Sequence, residues 1–196
     1  MPGKKRILRD DILDAAVRVI QQSDTGTLTM RTLAKELGCS TQPIYYEFQN
    51  QEKLTEELLL YIRHKYLKAR CSSYRDYAWV FLTFAEKEKQ LFRFLYLRPR
   101  SAESKLLEDE NQQQTIEFLV STLEMEKQQA EEMHQRMQYY CYGLGTMIAT
   151  GYRRMSVHEI DKELTDFFCI LLRSYKHLSD EAKINYWLNR SRHLVE

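Results

Sequence analysis

Apolar residues recur at helical spacing along nearly the whole chain, and very little interrupts them. Leu13, Ala16, Val17 and Ile20 stand at i, i+3, i+4 and i+7. Met30, Leu33, Ala34 and Leu37 repeat the pattern, and so do Met133, Met137, Cys141, Leu144 and Ile148 further on. Only 6 glycines and 3 prolines occur among 196 residues, too few punctuators for a turn-rich β architecture. No strand-like alternation and no internal repeat is visible. The fold class is all-α.

Composition narrows the function classes. Hydrophobic residues make up 43% and charged residues 29%, enough for a core and a soluble surface. A net charge of +1 is silent about nucleic acid, but Lys4, Lys5, Arg6 and Arg9 form a basic start that suits phosphate contact or a solvated terminus. The 4 cysteines, at 39, 71, 141 and 169, form no C-x-x-C pair, so metal and disulfide frameworks fail on spacing. Free thiols point to a reducing, cytoplasmic setting. The start lacks the apolar run of a signal peptide. The uncharged stretch Tyr139 to Tyr152 is too short and too rich in Tyr and Gly to span a bilayer, so no membrane association is expected. Histidines 64, 134, 158, 177 and 193 make no H-E-x-x-H, and no P-loop, G-x-S-x-G or dinucleotide-binding glycine pattern occurs. Neither metal nor cofactor is implied, and nothing motivates an enzyme.

The most informative segment is Thr29 to Phe48. Thr29 is a good N-cap for a short helix, and Gly38 supplies the left-handed residue that ends it. Ser40 is the expected cap of the next helix, which runs to Phe48. Ala34 allows a close helix crossing, while Ile44 and Phe48 point the second helix into a shared core. Together these form a helix-turn-helix. Pro43 fits the first turn, where its missing N–H has no intrahelical partner and its ring meets only Cys39, outside the helix. With Ile44 and Phe48 inward, Gln42, Tyr46 and Gln49 face outward, and Thr41 and Tyr45 lie on the flank. Gln suits adenine, Thr and Pro suit a thymine methyl, and Tyr hydroxyls suit phosphate.

Ile12 to Ala16, Leu28 to Ala34, Leu37 to Ser40, Ile44 to Phe48 and Asn50 to Leu54 resemble the DNA-binding domain of the tetracycline-repressor (TetR) family. The likeness covers roughly residues 10 to 60. It implies an N-terminal three-helix DNA-binding domain with a helix-turn-helix, here residues 1–50. A larger helical ligand-binding and dimerisation domain follows, residues 51–196. It also implies a homodimer joined through the last long helices, double-stranded DNA as partner, and usually a small-molecule effector. By position, Tyr45 matches the family's phosphate-contacting tyrosine, whereas the helical wheel favours Tyr46; both are candidates. Thr29 and Arg31 begin the helix that often contacts phosphate. The family commonly has a lysine where this chain has Gln51, and the nearest lysine here is Lys53. Gln42-Pro43 replaces the more usual Lys-Gly, which should alter operator preference. The candidate DNA-binding residues are therefore Thr29, Arg31, Thr41, Gln42, Pro43, Tyr45, Tyr46 and Lys53.

In the C-terminal body, Gly145 and Ala149 place small residues on one face of a long helix. A dimer contact is favoured over packing within one subunit. Tyr74, Tyr77, Trp79, Phe81, Phe84, Phe92, Phe94 and Tyr96 supply either a ligand cavity or ordinary core. The expected function is a sequence-specific transcriptional regulator, a ligand-responsive repressor on a palindromic operator. The same fold acting through protein contacts alone, or a helical enzyme with a dispersed site, are the rivals.

Overall fold

The computed structural model describes residues 7–23, 26–98 and 111–191. The helices there are α1 (Arg9–Gln22), α2 (Met30–Leu37), α3 (Gln42–Phe48), α4 (Gln51–Tyr66), α5 (Tyr74–Lys87), α6 (Lys89–Tyr96), α7 (Gln112–Leu123), α8 (Lys127–Ala149), α9 (Val157–Lys176) and α10 (Glu181–Arg190). No strand occurs among the described residues. Lys4, Lys5 and Arg6 of the basic start lie outside them.

Local chemistry places most helix ends. Thr29 accepts from the Thr32 amide, and the Thr32 hydroxyl accepts in return from the Thr29 amide. Asn50 Oδ1 accepts from the Lys53 amide at 2.8 Å. Ser73 with Asp76, and Ser156 with Glu159, form reciprocal capping boxes that open α5 and α9. Gly38 closes α2 at φ +63° and donates back to Ala34 and Lys35.

One end differs from the sequence reading. Thr41, not Ser40, is the residue before α3, and it already has helical dihedrals with no side-chain cap. A capping side chain accepts from the second or third helical amide, and the second here is Pro43, which has none. No side-chain hydrogen bond caps this helix, and Pro43 fixes a helical φ in its first turn. Helix α8 stops at Ala149, and Gly151 beyond it turns to φ +77°.

Two apolar cores organise the helices. One joins Ile12, Val17 and Ile20 of α1 to Leu33 of α2, Ile44 and Phe48 of α3, and Leu54, Leu58 and Ile62 of α4. The same core continues without a break into Leu91, Phe92 and Leu95 of α6. The other gathers α7, α8 and α9 around Leu119, Met133, Leu144, Leu164 and Leu172. Helix α5 serves both, with Phe84 and Ala85 in the first and Tyr74 and Leu82 in the second.

The small-residue stripe on α8 faces inward, which corrects the dimer reading of Gly145 and Ala149. Ala149 is fully buried, and its carbonyl accepts from Arg93 Nε at 3.0 Å. A Cβ at Gly145 would stand 2.9 Å from Phe92 Cζ and 3.2 Å from Phe81 Cε1. Glycine is required there because aromatic rings of the same chain press on the α8 backbone.

Candidate nucleic-acid interface

The second helix of the helix-turn-helix is anchored by two buried side chains. Ile44 is fully buried and Phe48 is 1% exposed. On the opposite face Tyr46 is 85% exposed and Tyr45 48%, so both tyrosines are available and Tyr46 is the freer. Gln42 is exposed, while Thr41 and Pro43 are half-buried. The outward face thus carries the amide, hydroxyls and rings that the spacing predicts. It carries them on a start stiffened by Pro43.

The remaining candidates sit on neighbouring helix ends. Arg31 is exposed on the first turn of α2, with no hydrogen-bond or ion-pair partner among the described residues. Thr29 is half-buried, and its hydroxyl is engaged in the α2 cap. Lys53 is exposed on the first turn of α4, with its ammonium 2.6 Å from Gln49 Oε1. Gln49 itself adopts φ +62° at the end of α3.

Gln51 explains how these pieces meet. Its Nε2 donates to the Leu28 carbonyl at 2.8 Å, in a half-buried setting. This bond ties the start of α4 to the residue before the α2 cap. The N-termini of α2 and α4, each the positive end of a helix dipole, are thereby held as neighbours beside α3. The position where a lysine is usual in the family thus holds a side chain that ties two helix starts together, and the exposed cations nearest to it are Lys53 and Arg31.

Arg9 leaves the basic arm. Its guanidinium donates to Glu57 through Nε at 2.9 Å and through Nη2, and to the Glu47 carbonyl at 3.0 Å. It also lies 4.5 Å from the centre of the Phe48 ring. The start of α1 is stapled to the end of α3 and to α4, so Arg9 helps to position α3. A second tie joins α1 to α4. The Asp14 carboxylate accepts from Lys65 at 2.6 Å and Tyr61 at 2.7 Å. The Lys65 and then the Tyr61 hydrogen bond hold its carboxyl below the ordinary value, and the same contact raises Lys65. No local sequence signal marks either tie, because the partners are far apart along the chain.

Residues 12–58, which contain this surface, match the family model of bacterial regulatory proteins of the tetR family. The N-terminal domain is of the tetR type. The fold extends the likeness to most of the chain. A crystal structure of a TetR single-residue variant from Acinetobacter baumannii AYE, in complex with minocycline, is similar with a TM-score of 0.60 at 16% identity, covering 89% of this chain and 99% of that one. None of the curated proteins matches the chain. The tetR-type domain therefore rests on a helical body of the same architecture as that protein. No helix among the described residues is long and apolar enough to cross a membrane.

A cavity of about 70 Å³ lies among α5, α6, α7 and α8. Of the aromatic residues singled out in the sequence, Tyr74, Tyr77, Phe81 and Tyr96 line it. Trp79, Phe84, Phe92 and Phe94 do not, and their rings serve packing.

Proposed function

We propose that this chain is a sequence-specific DNA-binding transcriptional regulator, a ligand-responsive cytoplasmic repressor that binds a palindromic operator as a homodimer. The observation that carries the reading is the outward face of α3. Gln42, Tyr45 and Tyr46 are exposed on a helix whose other side is locked by Ile44 and Phe48. A solvated surface helix favours Lys and Glu. This one offers groups that read base edges and touch phosphates. Thr29, Arg31, Thr41, Pro43 and Lys53 complete the contact surface from the flanks.

One such domain is small, and two copies reading half-sites related by a two-fold axis give the usual specificity of helix-turn-helix proteins. Ile170 on α9 is 59% exposed and Tyr139 on α8 56%, apolar surface on the last long helices that a second copy would cover.

Selection of bound sequences from a random DNA pool tests the proposal. The expected product is a palindrome bound by a dimer, with affinity falling steeply as salt rises. Recovery of no common sequence, together with a flat salt dependence, would leave the α3 face without its assigned role.

A further inference from the structure

Helix α3 has little of its own to orient it. It is seven residues long, buries only Ile44 and Phe48, and carries no side-chain cap at its start. At its end the chain reverses over one residue. Gln49 stands at φ +62° and ψ −48°, and the Asn50 amide donates across it to the Phe48 carbonyl at 2.6 Å. This is a γ-turn with positive φ, a rare and strained conformation for a residue other than glycine. Such strain persists only where surrounding contacts over-determine the backbone.

One side chain grips the chain on both sides of the turn. Arg9 donates to the Glu47 carbonyl before Gln49 and to the Glu57 carboxylate beyond it. The Glu57 contact is a fork, with Nε on one carboxylate oxygen and Nη2 on the other. The third nitrogen, Nη1, takes the Glu47 carbonyl at 3.0 Å, at the end of α3 where a helix runs out of its own donors. The guanidinium carbon lies 4.5 Å from the centre of the Phe48 ring, which is buried. An exposed ion pair alone is worth little, but a fork that also meets a carbonyl and a ring leaves the side chain little freedom. The Gln51 bond to Leu28 secures only the α4 side of the turn.

We propose that Arg9, held by Glu57, is a positioning residue for operator discrimination: it clasps the strained α3–α4 turn and fixes the angle at which α3 presents Gln42 to a base pair. The inference rests on the reading of α3 as the DNA-recognition helix and adds a residue that acts on specificity without touching DNA. Paired hydrogen bonds to a base edge tolerate little change of angle, whereas attraction to phosphates tolerates much. A phosphate-binding Arg9 predicts the opposite sign for one variant. Glu57→Gln removes a negative charge and frees the guanidinium, which would tighten binding to all DNA.

The full-length wild type, Arg9→Lys, Glu57→Gln and the double variant are titrated against the operator selected from a random pool and against a random duplex, at two salt concentrations. Arg9→Lys keeps the charge and loses the fork. Each single variant should lower the ratio of operator to random-duplex affinity at least about fivefold, the lower end of what one two-bond base contact is worth. Random-duplex affinity should stay within about twofold, with its salt slope unchanged. The double variant should be no more than about twofold worse than the poorer single, because the same contact is lost only once. Amide exchange of the DNA-free protein is the second readout. Exchange at Gln49 and Asn50, whose amides close α3 and the turn, should quicken at least about fivefold in both singles, as loss of one hydrogen bond requires, and should hold at Leu33 in α2. Variants whose unfolding midpoint falls while the affinity ratio holds would reduce Arg9 to a structural tie and overturn the proposal. Tighter binding of Glu57→Gln to every duplex, with a steeper salt slope, would make Arg9 a phosphate ligand and overturn it as well. Unchanged exchange at Gln49 and Asn50 overturns the clasp. A wild type that selects no operator sinks the regulator reading and the specificity role with it, and exchange still decides the clasp.

Discussion

Two glycines on one helix, two residues apart, should respond to the same substitution with opposite sign. Gly143 is exposed on α8, and a Cβ built there meets nothing within 4 Å. Within a single chain Gly143→Ala therefore gains helix propensity alone, about 0.8–1 kcal/mol. Gly145→Ala gains the same amount but puts its Cβ 2.9 and 3.1 Å from the Phe92 ring and 3.2 Å from Phe81. The Phe92 ring is fully buried and is held by Phe81, Phe84 and Tyr96 at centroid distances of 5.4, 6.2 and 4.9 Å, so it has little room to retreat. Overpacking of this kind costs about 1–3 kcal/mol. Propensity cancels between the two variants, so their difference isolates the overpacking and should be about 1–3 kcal/mol in favour of Gly143→Ala. Urea unfolding followed by circular dichroism, at one protein concentration because the chain is proposed to dimerise, measures it. In thermal unfolding the same gap is about 2–12 °C for a chain of this size. If the two variants were equally stable, Phe92 would not be pinned against α8 and the inward reading of the small-residue stripe would be wrong.

Gln42→Ala should relax preference at one base pair of each half-site, worth about 1–3 kcal/mol of discrimination, with non-specific binding nearly intact. Tyr45→Phe should instead lower affinity similarly on every sequence, and competition assays on matched and random duplexes distinguish the two. Gln51→Leu removes the bond to the Leu28 carbonyl and should cost about 1–3 kcal/mol of stability, read by denaturant unfolding. It should also weaken DNA binding uniformly, because the α2 and α4 termini lose their tie. The Asp14–Lys65 contact should make the α1–α4 junction sensitive to both pH extremes. Asp14 is depressed below its ordinary 3.8, so its contribution is present above that value and is lost as pH falls through the lowered one. Lys65 is raised above 10.5, so its contribution is present below that value and is lost as pH rises through the raised one. Asp14→Asn should flatten both limbs of a stability profile against pH, and an unchanged profile would remove the contact from the account.

What the sequence determined by itself is what depends on neighbours a few residues away. Thr29, Asn50 and Ser156 cap helices because a side-chain oxygen reaches an amide three residues on, and Gly38 ends α2 because only its own dihedral must be left-handed. The same locality made the outward face of α3 legible, since Ile44 and Phe48 one turn apart decide which way Gln42 and Tyr46 point. Even locally, Thr41 and not Ser40 precedes α3, and it carries no side-chain cap. Tertiary structure decided the rest. Arg9 looks like part of a basic arm until Glu57, 48 residues away, is brought beside it. Gln51 looks like a missing phosphate contact until Leu28 presents a carbonyl to it. Gly145 looks like a partner's landing site until Phe92 fills the space. A side chain's chemistry is written in the sequence, but the group it meets across a helix interface is set by how the helices pack, and at that range the sequence carries no spacing to read.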